Sequence, residues 1–215
     1  MTLPKPSIVH PAGAVTQSPL RLYSKRVMLR PLIAQDFEAF SEVRIRNASW
    51  LTKWEPLVPR NTTDPAHSRE AFANRCTVRD RDRQLGSSYT FGMFVNGSLA
   101  GEVNLNNVVR GALQCATIGY WIDEARAGNS YTSEAVVLIS KFAFEQLKLH
   151  RVEICIIPRN TNSRRVMEKI GVREEGLAER FLEINGVWED HVRYGFTIEE
   201  WIARKAELGA NWLER

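Results

Sequence analysis

The sequence predicts a mixed α/β domain built around one central βαβ unit. Three observations predict it. Asn96-Gly97 and Asn185-Gly186 each stand between alternating apolar runs, the strongest short-range hairpin signal, because both residues tolerate positive φ. Tyr131, Ala135, Leu138, Ile139, Phe142 and Ala143 recur at helical spacing and form one apolar stripe. Arg151 to Ile157, directly after that helix, alternates and is dense in β-branched residues, as a buried strand requires.

Each element follows in chain order. Residues 1–19 carry Pro4, Pro6, Pro11 and Pro19 without periodicity and are expected to be an extended leader. One domain is expected over 20–215. A strand covers Leu20-Arg21-Leu22 and Val27-Met28-Leu29-Arg30, ended by Pro31. Asp36 is expected to cap a helix running to Asn47, with Phe37 and Phe40 on one face. Trp50 and Trp54 follow. A second helix is expected from Asp64 to Arg81, its charged end, Arg79-Asp80-Arg81-Asp82-Arg83, being a solvated face or loop. Tyr89–Val95 and Leu99–Leu105 pair across Asn96-Gly97, and Gln114–Ile122 completes a meander after the Arg110-Gly111 turn. The striped helix runs from Tyr131 to about Leu149. After the strand 151–157, Asn162 or Ser163 caps a short helix stopped by Gly171. The second hairpin joins Phe181–Ile184 to Val187–Phe196, and a last helix covers Glu199–Leu208.

The chain of 215 residues carries 29 Lys plus Arg against 25 Asp plus Glu, a net charge of +4. That balance favours anionic ligands, but no basic run with interleaved aromatics calls for nucleic acid. No run approaches the roughly 18 apolar residues of a membrane span. The N-terminus has no basic stretch followed by an apolar one, so a cytoplasmic location is expected. Cys76, Cys115 and Cys155 are widely spaced and read as reduced thiols, and no Cys/His spacing suits a metal.

The segment that carries chemistry runs from Gly119 to Ala135. A strand ends, a loop of small residues follows, and a helix begins. A helix N-terminus presents unpaired N–H groups and the positive end of the macrodipole, a setting suited to a diphosphate. Taken alone, this pattern fits an ordinarily capped joint equally well.

The order of motifs adds to it. Ile118-Gly119-Tyr120-Trp121-Ile122, the loop with Gly128 and Glu134-Ala135, Asn160-x-x-Ser163, and Glu168-Lys169-Ile170-Gly171 follow one another, with Trp50-x-x-x-Trp54-Glu55-Pro56 upstream. Over residues 20–202 this resembles the GCN5-related N-acetyltransferases (GNAT), specifically the ribosomal-protein-alanine N-acetyltransferases of the RimJ/RimL type. The resemblance implies a central, mostly antiparallel twisted sheet, splayed at a βαβ acetyl-CoA site. It implies acetyl transfer from acetyl-CoA to a primary amine by direct attack in a ternary complex, with no metal. The family's loop, Gln/Arg-x-x-Gly-x-Gly/Ala, reads here Ala125-Arg126-Ala127-Gly128-Asn129-Ser130. Ala125 and Ser130 depart from it, and coenzyme A affinity is the property they bear on.

Roles follow from the resemblance, each beside a plainer alternative. Tyr120, Trp121 and Ile122 would offer a strand edge to the pantetheine arm, or are paired core strand. Arg126, Ala127, Gly128, Asn129, Ser130, Tyr131 and Thr132 would hold the diphosphate, or only cap a helix. Asn160 would bond the pantetheine, or form a turn. Arg165 is expected at the ribose 3′-phosphate, with Arg159, Arg164 and Lys169 as alternatives, or lies on a solvated face. Glu102 is the first candidate for the base, or a solvent-facing carboxylate, with Asp190, Glu183 and His191 behind it. Relatives protonate the leaving thiolate from a tyrosine on the helix after the second core strand. That helix has none here, and Ser163 in its first turn is the candidate donor. Trp50, Trp54, Glu55 and Asp190 would meet the acceptor, or the two tryptophans are plain core or lid packing.

The expected acceptor is a protein N-terminal α-amino group, Ala or Ser, as on a ribosomal protein. A small-molecule amine such as an aminoglycoside or polyamine is the alternative within the family. A non-catalytic acetyl-CoA-binding module is the alternative outside it. The expected assembly is a monomer or homodimer, with neither membrane nor nucleic acid as partner.

Overall fold

The computed structural model describes residues 20–59 and 61–214. The 1–19 leader lies outside the described residues. Eight strands form one sheet in the order β1-β2-β3-β4-β5-β6-β8-β7. They are β1 (Leu22–Tyr23), β2 (Val27–Arg30), β3 (Tyr89–Val95), β4 (Ser98–Val109), β5 (Cys115–Ile122), β6 (Arg151–Ile156), β7 (Arg173–Ile184) and β8 (Val187–Thr197). Every neighbouring pair is antiparallel except β5 and β6, which are parallel. The helices are α1 (Phe37–Arg46), α2 (Ala48–Leu51), α3 (Arg69–Leu85), α4 (Tyr131–Lys141), α5 (Thr161–Ile170) and α6 (Ile198–Leu208).

The strand alternation sorts the core into two layers. Phe91, Met93 and Val95 of β3 face the larger cluster, with Val137, Ile139 and Trp201 from α4 and α6. Phe94 and Leu99 face the other way, onto Phe40 of α1 and Phe72 of α3. Both Asn-Gly turns form as expected, with φ of 51° and 80° at Asn96 and Gly97 and of 48° and 79° at Asn185 and Gly186.

Several boundaries differ from the sequence expectation, each for a local reason. Asp36 does not cap α1. Its carboxylate accepts from the Ile33 N–H at 2.9 Å and pairs with Arg30 at 2.7 Å. Asp64 does not open α3 either. It closes a turn by accepting from the Ala66 N–H at 2.8 Å, and Ser68 caps the helix instead. The charged run 79–83 is helical, and α3 continues to Leu85, where Gly86 takes φ 71°. The cap of α5 is Asn160, not Asn162 or Ser163, its side chain accepting from the Ser163 N–H. α4 gives way at Phe142 to a π-turn ending at Gln146. β7 starts at Arg173, well before Phe181, and irregular pairing around Gly176 and Arg180 hides its alternation.

The feature that positions the site is where the sheet parts. β5 and β6 pair only over Cys115–Thr117 and Arg151–Glu153. Beyond them β5 stays with β4 as far as Ile122, and β6 stays with β8 as far as Ile156. The facing edges therefore diverge toward the α4 N-terminus. Gly101 of β4 is required beside this point, because a Cβ there would lie 2.1 Å from the Trp121 carbonyl oxygen.

Candidate active site

A cavity of about 680 Å³ opens at the parted strands. The end of β5, the loop into α4, one face of α5 and the segment following α1 wall it.

The loop and α4 form the anion end. Gly128 has φ 80° and Ser130, the cap position of α4, has φ 64°. Left-handed backbone at both positions accounts for the small residues there. No side chain caps α4, so its first-turn N–H groups face the cavity at Tyr131, Thr132 and Ser133. The Ser133 hydroxyl is buried without a partner. Arg126, Arg165 and Lys169 line the same end, and Lys169 Nζ donates to Ser130 Oγ at 2.8 Å. An orphaned hydroxyl, an uncapped helix start and three cations fit a diphosphate. Ala127 also lines the cavity, whereas Asn129 does not. Its amide donates to the Arg126 and Ala127 carbonyls at 3.2 and 3.1 Å, folding the loop.

Of the cations grouped with Arg165, the structure brings only Lys169 to this end. Arg159 lies 4.9 Å from the Trp54 ring centroid and pairs with Glu189. Arg164 turns to the Tyr194 hydroxyl at 3.2 Å. Asn162, Arg165, Val166 and Lys169 line the cavity at helical spacing, on one face of α5.

At mid-cavity, Tyr120 of β5 meets Ser163 of α5, with Oη and Oγ 2.8 Å apart. Burial pushes the Tyr120 phenol up from its ordinary pKa, against the opposing bond to Ser163, so it stays protonated. Asn160 holds this turn of α5 by accepting from the Ser163 N–H at 3.2 Å. Trp121 and Ile122 complete the β5 wall.

The other end is the arm of α2 and the turn after it. Asp123, buried at the end of β5, accepts from Arg46 at 2.6 Å and Asn47 at 2.8 Å, while Asn47 Oδ1 accepts from the Glu124 N–H. These bonds dock α1 on the strand end. Trp50 Nε1 then donates to the Ile122 carbonyl at 3.1 Å. Trp50, Trp54, Glu55 and Lys53 line this end, and sequence reasoning had not singled out Lys53, whose ammonium sits 5.4 Å from both indole centroids. Glu55 is the sole carboxylate among the described lining residues, and Arg44 holds both its oxygens at 2.7 Å. The Asn185 N–H donates to the Glu55 carbonyl at 2.9 Å, leaning the β7–β8 turn on the arm.

Glu102 does not line the cavity. It is 2% exposed and accepts from Arg75 at 2.6 and 2.8 Å, Arg79 at 2.9 Å and Trp121 Nε1 at 3.0 Å. Burial raises its pKa, but the Arg79 and Arg75 charges and the bonds from Arg75 and Trp121 outweigh that and hold it at about 2. A carboxylate so stabilised is a weak proton acceptor, and it stands behind the cavity wall rather than in it. The other sequence candidates also lie elsewhere. Asp190 accepts from the Arg180 N–H at 2.8 Å, and Glu183 is exposed on β7. His191 is buried against Phe181 and bonded to the Glu189 carbonyl. Among the described residues no group of three or more His, Cys, Asp or Glu is placed to hold a metal.

Comparison with known proteins agrees with this geometry. The family model "Acetyltransferase (GNAT) domain" matches residues 26–173. The chain is 37% identical over 172 residues to the probable N-acetyltransferase YjcK of Bacillus subtilis, covering 79% of this chain and 93% of that protein. It is 26% identical over 184 residues to the ribosomal protein uS5-alanine N-acetyltransferase of Escherichia coli, covering 85% and 93%. The structure of Mycobacterium smegmatis RimJ in complex with CoA-disulfide superposes with a TM-score of 0.75 at 31% identity, over 87% of this chain and 93% of that one. Its sheet, its parted strands and these matches together make the chain a member of the GNAT family and an acetyl-CoA-dependent N-acetyltransferase.

Proposed function

We propose that this protein acetylates the α-amino group of a protein N-terminus, Ala or Ser first, as a ribosomal protein would present. One observation carries the choice of amine. The sole carboxylate among the described lining residues, Glu55, is held at both oxygens by Arg44. A cavity with so little basicity needs an acceptor that is already partly neutral. With a pKa near 8, about one-tenth of an α-amine is neutral at pH 7, against roughly 0.04% of a lysine with a pKa near 10.4. The Escherichia coli relative is named for acetylating an alanine of ribosomal protein uS5, which supports the same reading.

In this reading Arg126, Arg165, Lys169 and the first-turn N–H groups of α4 bind the cofactor diphosphate and ribose phosphate. The edge of β5 past Thr117 orients the pantetheine arm. Trp50 and Trp54 pack on the first residue of the acceptor, beside the Arg44-paired Glu55. The neutral amine attacks the thioester carbonyl, the C–N bond forms and the C–S bond breaks. Solvent takes the ammonium proton, Ser163 Oγ gives one to the leaving thiolate and recovers it from solvent, and Tyr120 Oη, which stays protonated, holds Ser163 in place.

The test is a panel of peptides with Ala, Ser or Thr N-termini, against the same peptides blocked at the α-amine but carrying a lysine, with coenzyme A thiol release as readout. Release only with open α-amines is expected. Release on the blocked peptides would overturn the choice of amine. Release only on an aminoglycoside or polyamine would establish the small-molecule reading. Tight acetyl-CoA binding without release on any amine would establish a binding module.

A further inference from the structure

A second cavity, of about 330 Å³, lies between α3 and the segment Pro31–Ala34, and no described residue lines both it and the active-site cavity. Its polar side comes from one face of α3. Arg75, Arg79 and Arg83 are spaced four apart, so they lie on one face of the helix. Their charges are not fully answered. Arg83 is matched by Asp80, but Arg75 and Arg79 share the single carboxylate of Glu102. One positive charge is therefore in surplus beside a buried ion pair, where an unmatched charge is expensive.

Two further observations point the same way. One Arg75 nitrogen is buried without any hydrogen-bond partner. Burial also lowers the Arg79 pKa against the pull of Glu102, and Arg75 lowers it further, while the one carboxylate among the described residues lining the cavity, Asp80, is paired with Arg83. The rest of the cavity is largely apolar, with Leu32, Ala34 and Ala73 among its walls. Arg79, 29% exposed, reaches it from the charged side. A pocket of this size, apolar but for a few convergent polar groups, suits a small molecule rather than a bare ion.

We propose that this cavity is a binding site for a small organic monoanion, a carboxylate on an apolar body, with Arg79 as its charge partner. The anion supplies the missing negative charge, and its body covers the apolar wall.

Isothermal titration with benzoate, in buffer without chloride, tests this on the whole protein, with benzyl alcohol as the uncharged control. One benzoate per chain is expected, with no binding of the alcohol. Arg79→Gln is expected to weaken benzoate about tenfold or more. Ala34→Trp, on an exposed turn at the cavity, is expected to block it while leaving the Glu102 ion pairs intact. Arg165→Gln in the active-site cavity is expected to change nothing. The proposal fails if benzoate shows no binding at about 10 mM, or if the alcohol binds equally. It fails also if Arg165→Gln abolishes binding while Arg79→Gln and Ala34→Trp do not.

Discussion

Ser163 and Tyr120 come from different elements, 43 positions apart, and meet at 2.8 Å. Only Ser163 stands out in the sequence as a proton donor, because it occupies the first turn of the helix after the second core strand. Its partner was assigned a cofactor-edge role, and a phenol on β5 gives no sign of where it ends. Ser163→Ala is expected to lower kcat by about 10²-fold with little change in the KM for acetyl-CoA, as loss of a transition-state donor does. Steady-state kinetics with both substrates varied check this. Glu102 shows the opposite case. A carboxylate on a meander strand looks available, yet α3 folds two arginines onto it. Glu102→Gln is expected to leave the pH–rate profile in place and to destabilise the fold by about 3 kcal/mol, since it leaves buried arginines unmatched. Urea unfolding across pH adds a sign. The depressed carboxyl contributes stability that is present above its unfolded pKa near 4.5 and lost as pH falls toward 2. The variant is expected to lack that acid-side loss.

At the scale of elements, α4 is held as much by its first turn as by its apolar stripe. Glu134, 1% exposed, accepts from Ser24 Oγ at 2.8 Å, from the Arg26 N–H and Nε at 2.5 and 2.9 Å, and from the Val27 N–H at 3.1 Å. This carboxylate ties the β1–β2 turn to the helix that carries the anion end. Glu134→Ala is expected to cost about 3 kcal/mol, because several donors lose their acceptor inside the protein. It is also expected to weaken acetyl-CoA binding, read by calorimetry, because the uncapped turn loses its anchor. Both Asn-Gly hairpins were legible from their turn residues. The starts of α3 and α5 were not. Asp, Asn and Ser serve caps and turns alike, and the choice among Asp64, Ser68, Asn160 and Ser163 depends on which N–H each side chain reaches.

Across the whole molecule, the end of β5, the loop into α4, one face of α5 and the arm form one cavity whose ends differ in chemistry, cationic at α4 and aromatic at α2. This division predicts the pH dependence of turnover. If the substrate amine, and no protein carboxylate, sets the ionisation, kcat/KM is expected to rise about tenfold per pH unit up to the α-amine pKa near 8 and then level. A limb breaking near pH 4 to 6 would instead show a carboxylate base in the cavity. Stopped assays over pH 5 to 9 with an Ala-initiated peptide distinguish the two.

By itself, the sequence determined most element types, the two hairpins, the small-residue loop before α4 and the aromatic arm. These rest on local rules: period, turn chemistry and backbone permissiveness act over a few residues and leave their mark in order along the chain. The tertiary structure alone decided which polar side chains reach the cavity. Glu102 was claimed by Arg75 and Arg79, Asn129 by its own loop and Asp190 by a β7 amide, while Tyr120 was brought to Ser163. Each of those outcomes depends on a partner distant in the chain or on the reach of a single side chain, and burial then makes the pairing strong. No local pattern encodes it.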